Sequence, residues 1–259
     1  ILISAAGLWY AFREMNFKDL MENLSHTHMS YVFLSMIIMV ISVALRAYRW
    51  QLILNPIHVF TFNPLFSSTM IGYFGNGVLP FRLGELLRAY AISQSRYITA
   101  SAAFGTIILE RLFDMIGLVA LMIFFAFFSP LMEWSGNILV GLLILTLGGL
   151  LFILWLGKSH SKFHDKVVHW KIFEKPSRKK LLKSIQQVFE GLISIRDTKH
   201  TGQLIVLTVV LWILYYMSTA LIVIATGIEL TWFATGIVLI ATTLAISAMV
   251  IRRRSFASR

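Results

Sequence analysis

Two short runs set guanidinium and carboxylate groups inside an otherwise apolar chain. In GYFGNGVLPFRLGELLRAY, residues 72–90, Arg82, Glu85 and Arg88 fall at i, i+3 and i+6. On a helix Glu85 can pair with either arginine, which leaves one guanidinium free. In LERLFD, residues 109–114, Glu110 and Asp114 stand four apart on one helical face with Arg111 beside them. A guanidinium fork is the natural partner of a phosphate headgroup. A carboxylate such as Glu85, Glu110 or Asp114 could serve instead as a general base, but the sequence offers it no nucleophile and no metal set. Asn76, among the glycines, could orient a headgroup or cap a half-helix; a simple turn role fits it equally well.

These groups sit where charge is expensive. The 259 residues are 58% hydrophobic and 14% charged, with a mean hydropathy of +0.77. Several apolar runs exceed the roughly 18 residues that mark a spanning helix, which makes the chain an all-α polytopic integral membrane protein. A charge at the bilayer centre costs about 2.5–3.5 kcal/mol on insertion scales, so Glu110, Arg111 and Asp114 should face the protein interior and meet partners there. Arg82 and Arg88 are the nearest candidates. The plainer readings are helix-to-helix ion pairing for the acids and ordinary inside-loop charge for the arginines, Arg96 above all.

The elements that must position these residues follow from the apolar runs. A stub over 1–12 reads as a first helix cut short at its start. Spans follow at 30–54, 100–128, 134–156, 202–226 and 231–251, giving about six transmembrane helices in one domain, 1–259. Trp134 and Trp155 lie near the two ends of their span, spaced as interfacial anchors are.

Of 23 Lys and Arg, 11 lie between Lys158 and Lys199 and four follow Val250. Basic loops face the cytoplasm, so the basic loop at about 157–201 and the C-terminus are expected inside. The same count raises a conflict: if residues 60–80 crossed the bilayer, Arg46 and Arg49 would end their span outside. A re-entrant hairpin at about 60–80, with Pro64, Gly72, Gly75, Gly77 and Pro80 as its breaks, places every basic cluster on one side. Within the basic loop, Leu181, Leu182, Ile185, Val188, Phe189 and Leu192 recur at helical spacing, as in a cytoplasmic amphipathic helix on the inner leaflet or one packed on other segments.

Some chemistry is excluded. The chain has no cysteine, hence neither disulfides nor thiolate metal sites. His160 and His164 lack a third ligand, and His26, His28 and His58 read as solvated or interfacial residues. GYFGNG lacks the strand, helix and Lys-Ser/Thr of a phosphate-binding loop. The net charge of +11 matches an anionic membrane surface better than nucleic acid, since no recognition module accompanies it.

Asn76, Pro80, Arg82, Gly84, Glu85 and Arg88, followed by Glu110, Arg111 and Asp114, form a pattern that resembles the lysylphosphatidylglycerol synthase transmembrane (flippase-like) family. Arg46, Arg49 and Trp50 resemble that family's Arg-x-x-Arg-Trp close to an early span. The resemblance covers nearly the whole chain. It implies a multi-helix inner-membrane domain that, in the best-known members, moves aminoacylated phospholipid between leaflets. Those members carry a separate aminoacyl-transfer domain, which is not expected within these 259 residues. It also departs from the family at its end, running LAISAMVIRRRSFASR where a Pro-Gly-x-x-Gly segment is usual.

The resulting expectation is a protein of the plasma (bacterial inner) membrane that binds and translocates a phospholipid or lipid-linked substrate without a cofactor. Asn76, Arg82, Glu85, Arg88, Glu110, Arg111 and Asp114 would form the substrate site, with Arg46 and Arg49 as secondary members. An intramembrane headgroup transferase and a non-catalytic scaffold are the rival expectations. Partners on this reading are the lipid substrate, anionic inner-leaflet lipids at the basic loop and a second copy of the chain (a homo-oligomer).

Overall fold

The structure, a computed structural model, describes residues 21, 25, 27–79, 83–126, 140, 141, 144, 147, 148, 176–194 and 200–252. The apolar stub, most of the 134–156 span, much of the basic loop with His160 and His164, the residues after 252, His26 and residues 80–82 with Arg82 lie outside these. Among the described residues the longer elements are all helices: α1 (Met29–Leu54), α2 (Phe62–Val78), α3 (Gly84–Ser93), α4 (Ala100–Ala126), α5 (Pro176–Ile193), α6 (Thr201–Ala225) and α7 (Trp232–Arg252). α1 and α6 are each long and apolar enough to cross a membrane. α4, at 27 residues, reaches about 40 Å and is long enough as well, although it carries the LERLFD charges.

α1 is central and packs against α2, α4 and α6. Its inner stripe, Ser35, Ile38, Ser42, Arg46 and Arg49, is buried at helical spacing. The stripe begins with small polar residues, and the Ser35 and Ser218 hydroxyls meet at 2.8 Å across the α1–α6 contact. Short side chains allow such close approach between membrane helices, and a hydroxyl pair links them. The His28 amide donates to the Ala225 carbonyl at 3.0 Å, so the start of α1 and the end of α6 share one end of the bundle.

At the opposite end one apolar cluster joins Leu54, Phe60, Ile92, Ile98, Ala102, Leu192 and Leu204. That cluster gathers the α1–α2 turn, the α3–α4 turn, α5 and the start of α6. His58 stacks on Tyr97 with ring centroids 4.3 Å apart, tying the two turns together. A second cluster, with Leu118, Met122, Phe125, Trp212 and Leu239, fills the end near His28 and Ala225.

The fold-back expected at about 60–80 does not occur within the described residues 60–79. Phe62–Val78 is one uninterrupted helix, and the reversal follows it, with α3 returning antiparallel beside it. The glycines that suggested breaks serve close packing. A Cβ on Gly84 would collide with the Gly72 carbonyl, and one on Gly75 would lie 2.7 Å from Leu87 Cδ1. Pro64 causes no break because it occupies the first turn, where its amide would have no helical acceptor. Phe62–Val78 and Gly84–Ser93 therefore pair as an antiparallel helical hairpin.

α5 applies its apolar stripe to the first half of α4: Val188, Phe189 and Leu192 join the core there. Gly105 and Gly191 meet backbone to backbone at the crossing, where a Cβ on either would strike the other helix. Of the two roles open to this amphipathic segment, packing against a neighbouring helix is what covers Val188, Phe189 and Leu192.

Candidate functional site

The carboxylates of α4 organise the site. Glu110 is fully buried, and four guanidiniums stand within 4 Å of it. Arg88 Nη1 is nearest, 2.9 Å from Glu110 Oε2; Arg46 Nε, Arg49 Nη2 and Arg111 Nη2 lie 3.4, 3.6 and 3.9 Å from Oε1. None of these N–H groups points along the oxygen well enough for a directed hydrogen bond, so Glu110 acts as the shared counter-charge of the cluster. Asp114, one turn further along α4, takes the directed bonds. Its Oδ1 accepts from Arg49 Nη2 at 2.6 Å, and its Oδ2 accepts from Arg46 Nη2 at 2.8 Å and Arg111 Nη1 at 3.3 Å.

The four arginines reach the cluster from three helices. Arg46 and Arg49 come from the inner stripe of α1, and Arg49 also donates from Nη1 to Thr208 Oγ1 of α6 at 3.1 Å. Arg111 points from α4 toward the hairpin, where its Nη2 pairs with Glu85 Oε1 at 2.8 Å. Arg88 comes from α3 and lies over the Trp50 ring, its Cζ 3.9 Å from the centroid. Trp50 is fully buried, and its indole N–H donates to Thr106 Oγ1 at 3.0 Å. Burying a cation against an aromatic face recovers part of the lost hydration.

The pairings meet the sequence expectation at Arg88–Glu110 and differ from it in two respects: Asp114 is held by Arg46 and Arg49, expected only as secondary members, and Glu85 turns away from Arg88. Glu85 bonds Arg111 across the helix contact, and its neighbour Arg88 is thereby released to Glu110. Asn76 fulfils the capping role: its Oδ1 accepts the Gly84 N–H at 3.0 Å, satisfying a donor at the start of α3. Arg96 stands apart from the site, in the turn after α3 with φ +63°. Trp50 as a platform for Arg88, Thr208 and Tyr73 were not singled out as site residues. An isolated Thr in an apolar span is a weak signal, and Tyr73 carried none.

Between the hairpin and the α1–α4 pair lies a cavity of about 350 Å³. Arg46, Arg88, Arg111, Glu85, Asn76, Thr69 and Tyr73 line it, with Gly72 and Gly77 opening its wall. Around it four arginines face three carboxylates, a surplus of one positive charge among the described residues. A further cavity, about 410 Å³, is walled by Phe125, Trp212 and other apolar residues of α4, α6 and α7. No group of three potential metal ligands occurs among the described residues.

The model of the lysylphosphatidylglycerol synthase transmembrane region matches residues 1–251. The chain belongs to this family. The chain is also similar to a UPF0104 membrane protein of Methanocaldococcus jannaschii, 26% identical over 131 residues, which cover 49% of this chain and 38% of that relative. The chain thus matches less than half of the relative's length. No solved structure matches it. Membership in the lysylphosphatidylglycerol synthase transmembrane family, together with the apolar helices, makes this a helical membrane protein.

Proposed function

We propose that this protein binds a phospholipid or lipid-linked molecule by its headgroup and carries that headgroup across the bilayer. The supporting observation is the cavity beside Glu110, a polar chamber with surplus positive charge walled by helices whose outer faces are apolar. Its depth follows from position. Glu110 is ten residues from the start of α4, or about 15 Å of helix, which is near the middle of a hydrocarbon core about 30 Å thick. Intramembrane ionisable groups mark substrate paths as a rule, and helices that stop part-way through a membrane commonly border them.

The α2–α3 hairpin is the re-entrant element on this reading. α2 has 17 residues and α3 has 10, about 25 and 15 Å, so neither need span the core. Both open ends lie with the α1–α2 and α3–α4 turns, which the charge bias assigns to the cytoplasmic face of the plasma membrane. A pure scaffold would need balanced charges and no chamber, and the carboxylates of a headgroup transferase would be free to act rather than held by guanidiniums. The test is native mass spectrometry of the protein released from mild detergent. Retention of one lipid class, lost in Glu110→Gln, supports the reading; unselective bulk lipid in both forms removes it.

A further inference from the structure

The α2–α3 hairpin is fastened to the bundle unequally along its length. At its open end Leu65, Ala89 and Ile92 are buried in the apolar cluster, together with Phe60 and Ile98 of the flanking turns. There the Gln51 side-chain amide donates to the Phe60 carbonyl at 2.7 Å, and His58 stacks on Tyr97. Toward the far end Phe74, Val78 and Leu86 are exposed. Among the described residues the polar links from this half to the bundle are the ion pairs Arg88–Glu110 and Glu85–Arg111, with the Arg46 guanidinium 6.0 Å from the Tyr73 ring.

The two helices of the hairpin are locked to each other. The Gly84 backbone lies against the Gly72 carbonyl, and Asn76 Oδ1 accepts the Gly84 N–H. Elements packed backbone to backbone move as one body. The two ion pairs that tie this body to α4 are unequal. Arg88 and Glu110 are 3% and 0% exposed at the side chain, and parting them would strand two buried charges. Glu85 and Arg111, nearly one turn of α3 farther from the open end, are 21% and 34% exposed and line the chamber. A pair that water reaches parts at little cost. Arg111 is not stranded when Nη2 lets go, because its Nη1 still donates to Asp114.

We infer that the hairpin is a lever over the chamber. It pivots on the apolar cluster at its open end, and Glu85–Arg111 is the latch that holds its far end against α4. Parting the latch swings Tyr73, Asn76 and Gly77 outward and widens the chamber on that side. Arg88–Glu110 stays made, since Arg88 adjoins Ala89 of the pivot. The device does not depend on what the chamber takes, so it stands or falls apart from the transport reading.

The chain has no cysteine, so introduced cysteines carrying spin labels can read the motion in the full chain, in lipid nanodiscs, by pulsed electron resonance. Val78→Cys with Val206→Cys measures from the far end of the hairpin to α6. Val59→Cys with Val206→Cys measures from its open end to the same helix, and all three positions are exposed. Glu85→Gln is expected to shift the Val78–Val206 distances to longer values and to leave the Val59–Val206 distances unchanged. Unchanged Val78–Val206 distances in Glu85→Gln overturn the inference. An equal shift in both pairs also overturns it, because the open end is then no pivot. Where Glu85→Gln does not fold, Glu85→Asp, which keeps the charge but shortens the reach, must give the same change in lesser degree, and no change in it overturns the inference.

Discussion

Arg88 and Glu110 meet at 2.9 Å from two different helices, and through this contact the hairpin joins the charged network. Arg88 arrives from α3, Glu110 sits within α4, and Trp50 of α1 supports the arginine from below. Three elements thus converge on one guanidinium. The network holds the bundle together while leaving one edge of that guanidinium unmatched.

Loss of Asp114 should destabilise the protein strongly. Its two oxygens hold Arg46 and Arg49, and Arg49 is fully buried. Removing one member of a buried pair costs about 3–5 kcal/mol, because the other charge stays behind. Asp114→Ala is expected to lower thermal unfolding in detergent well below that of the parent protein. A Met at both position 49 and position 114 should recover part of the loss, and failure of the double replacement to do better than Asp114→Ala would show that the pairing is not what matters.

Two glycines of the hairpin should respond in opposite ways. Gly84→Ala drives a methyl group into the Gly72 carbonyl, and such overpacking costs about 1–3 kcal/mol. Gly77 has open space where its Cβ would go, so Gly77→Ala should be neutral or stabilise by up to about 1 kcal/mol through helix propensity. Thermal melts of the two variants side by side check this, and equal losses would contradict the close α2–α3 packing.

The α1–α6 register can be fixed covalently. The chain has no cysteine, so Ser35→Cys with Ser218→Cys introduces a single pair where two hydroxyls stand 2.8 Å apart. Mild oxidation should crosslink most of the protein, seen as a shift in gel mobility that reductant reverses. Little or no crosslinking would mean that the helices meet in another register.

Docking of α5 on α4 depends on the Gly105–Gly191 crossing. Gly191→Leu should lift α5 away and raise hydrogen exchange of its backbone amides, with less effect on α6. Unchanged protection in α5 would contradict the packing.

Much of this site was legible in the residues. Burial cost alone required partners for Glu110 and Asp114, and the spacing of Arg88 behind the Gly-Pro segment marked it as one. What spacing within one helix cannot show is which partner wins across helices. Glu85 could reach Arg88 along α3, but Arg111 from α4 takes it at 2.8 Å. The glycines misled for a similar reason. Gly72 and Gly75 look like breaks when a segment is taken alone, and only the antiparallel neighbour α3 shows that they make room for a backbone. The same holds for α5, whose amphipathic stripe was plain while its cover, the small-residue face of α4, was not.

Passage of a lipid headgroup through the chamber beside Glu110, as proposed, can be followed directly. The most direct measurement uses vesicles containing the purified protein and a headgroup-labelled fluorescent phospholipid, with a membrane-impermeant quencher added outside. Label starting in the inner leaflet should be quenched in vesicles with the parent protein, and far more slowly with Arg88→Gln or Glu110→Gln that still folds. Inner-leaflet label that stays protected with the parent protein, as in protein-free vesicles, would contradict it.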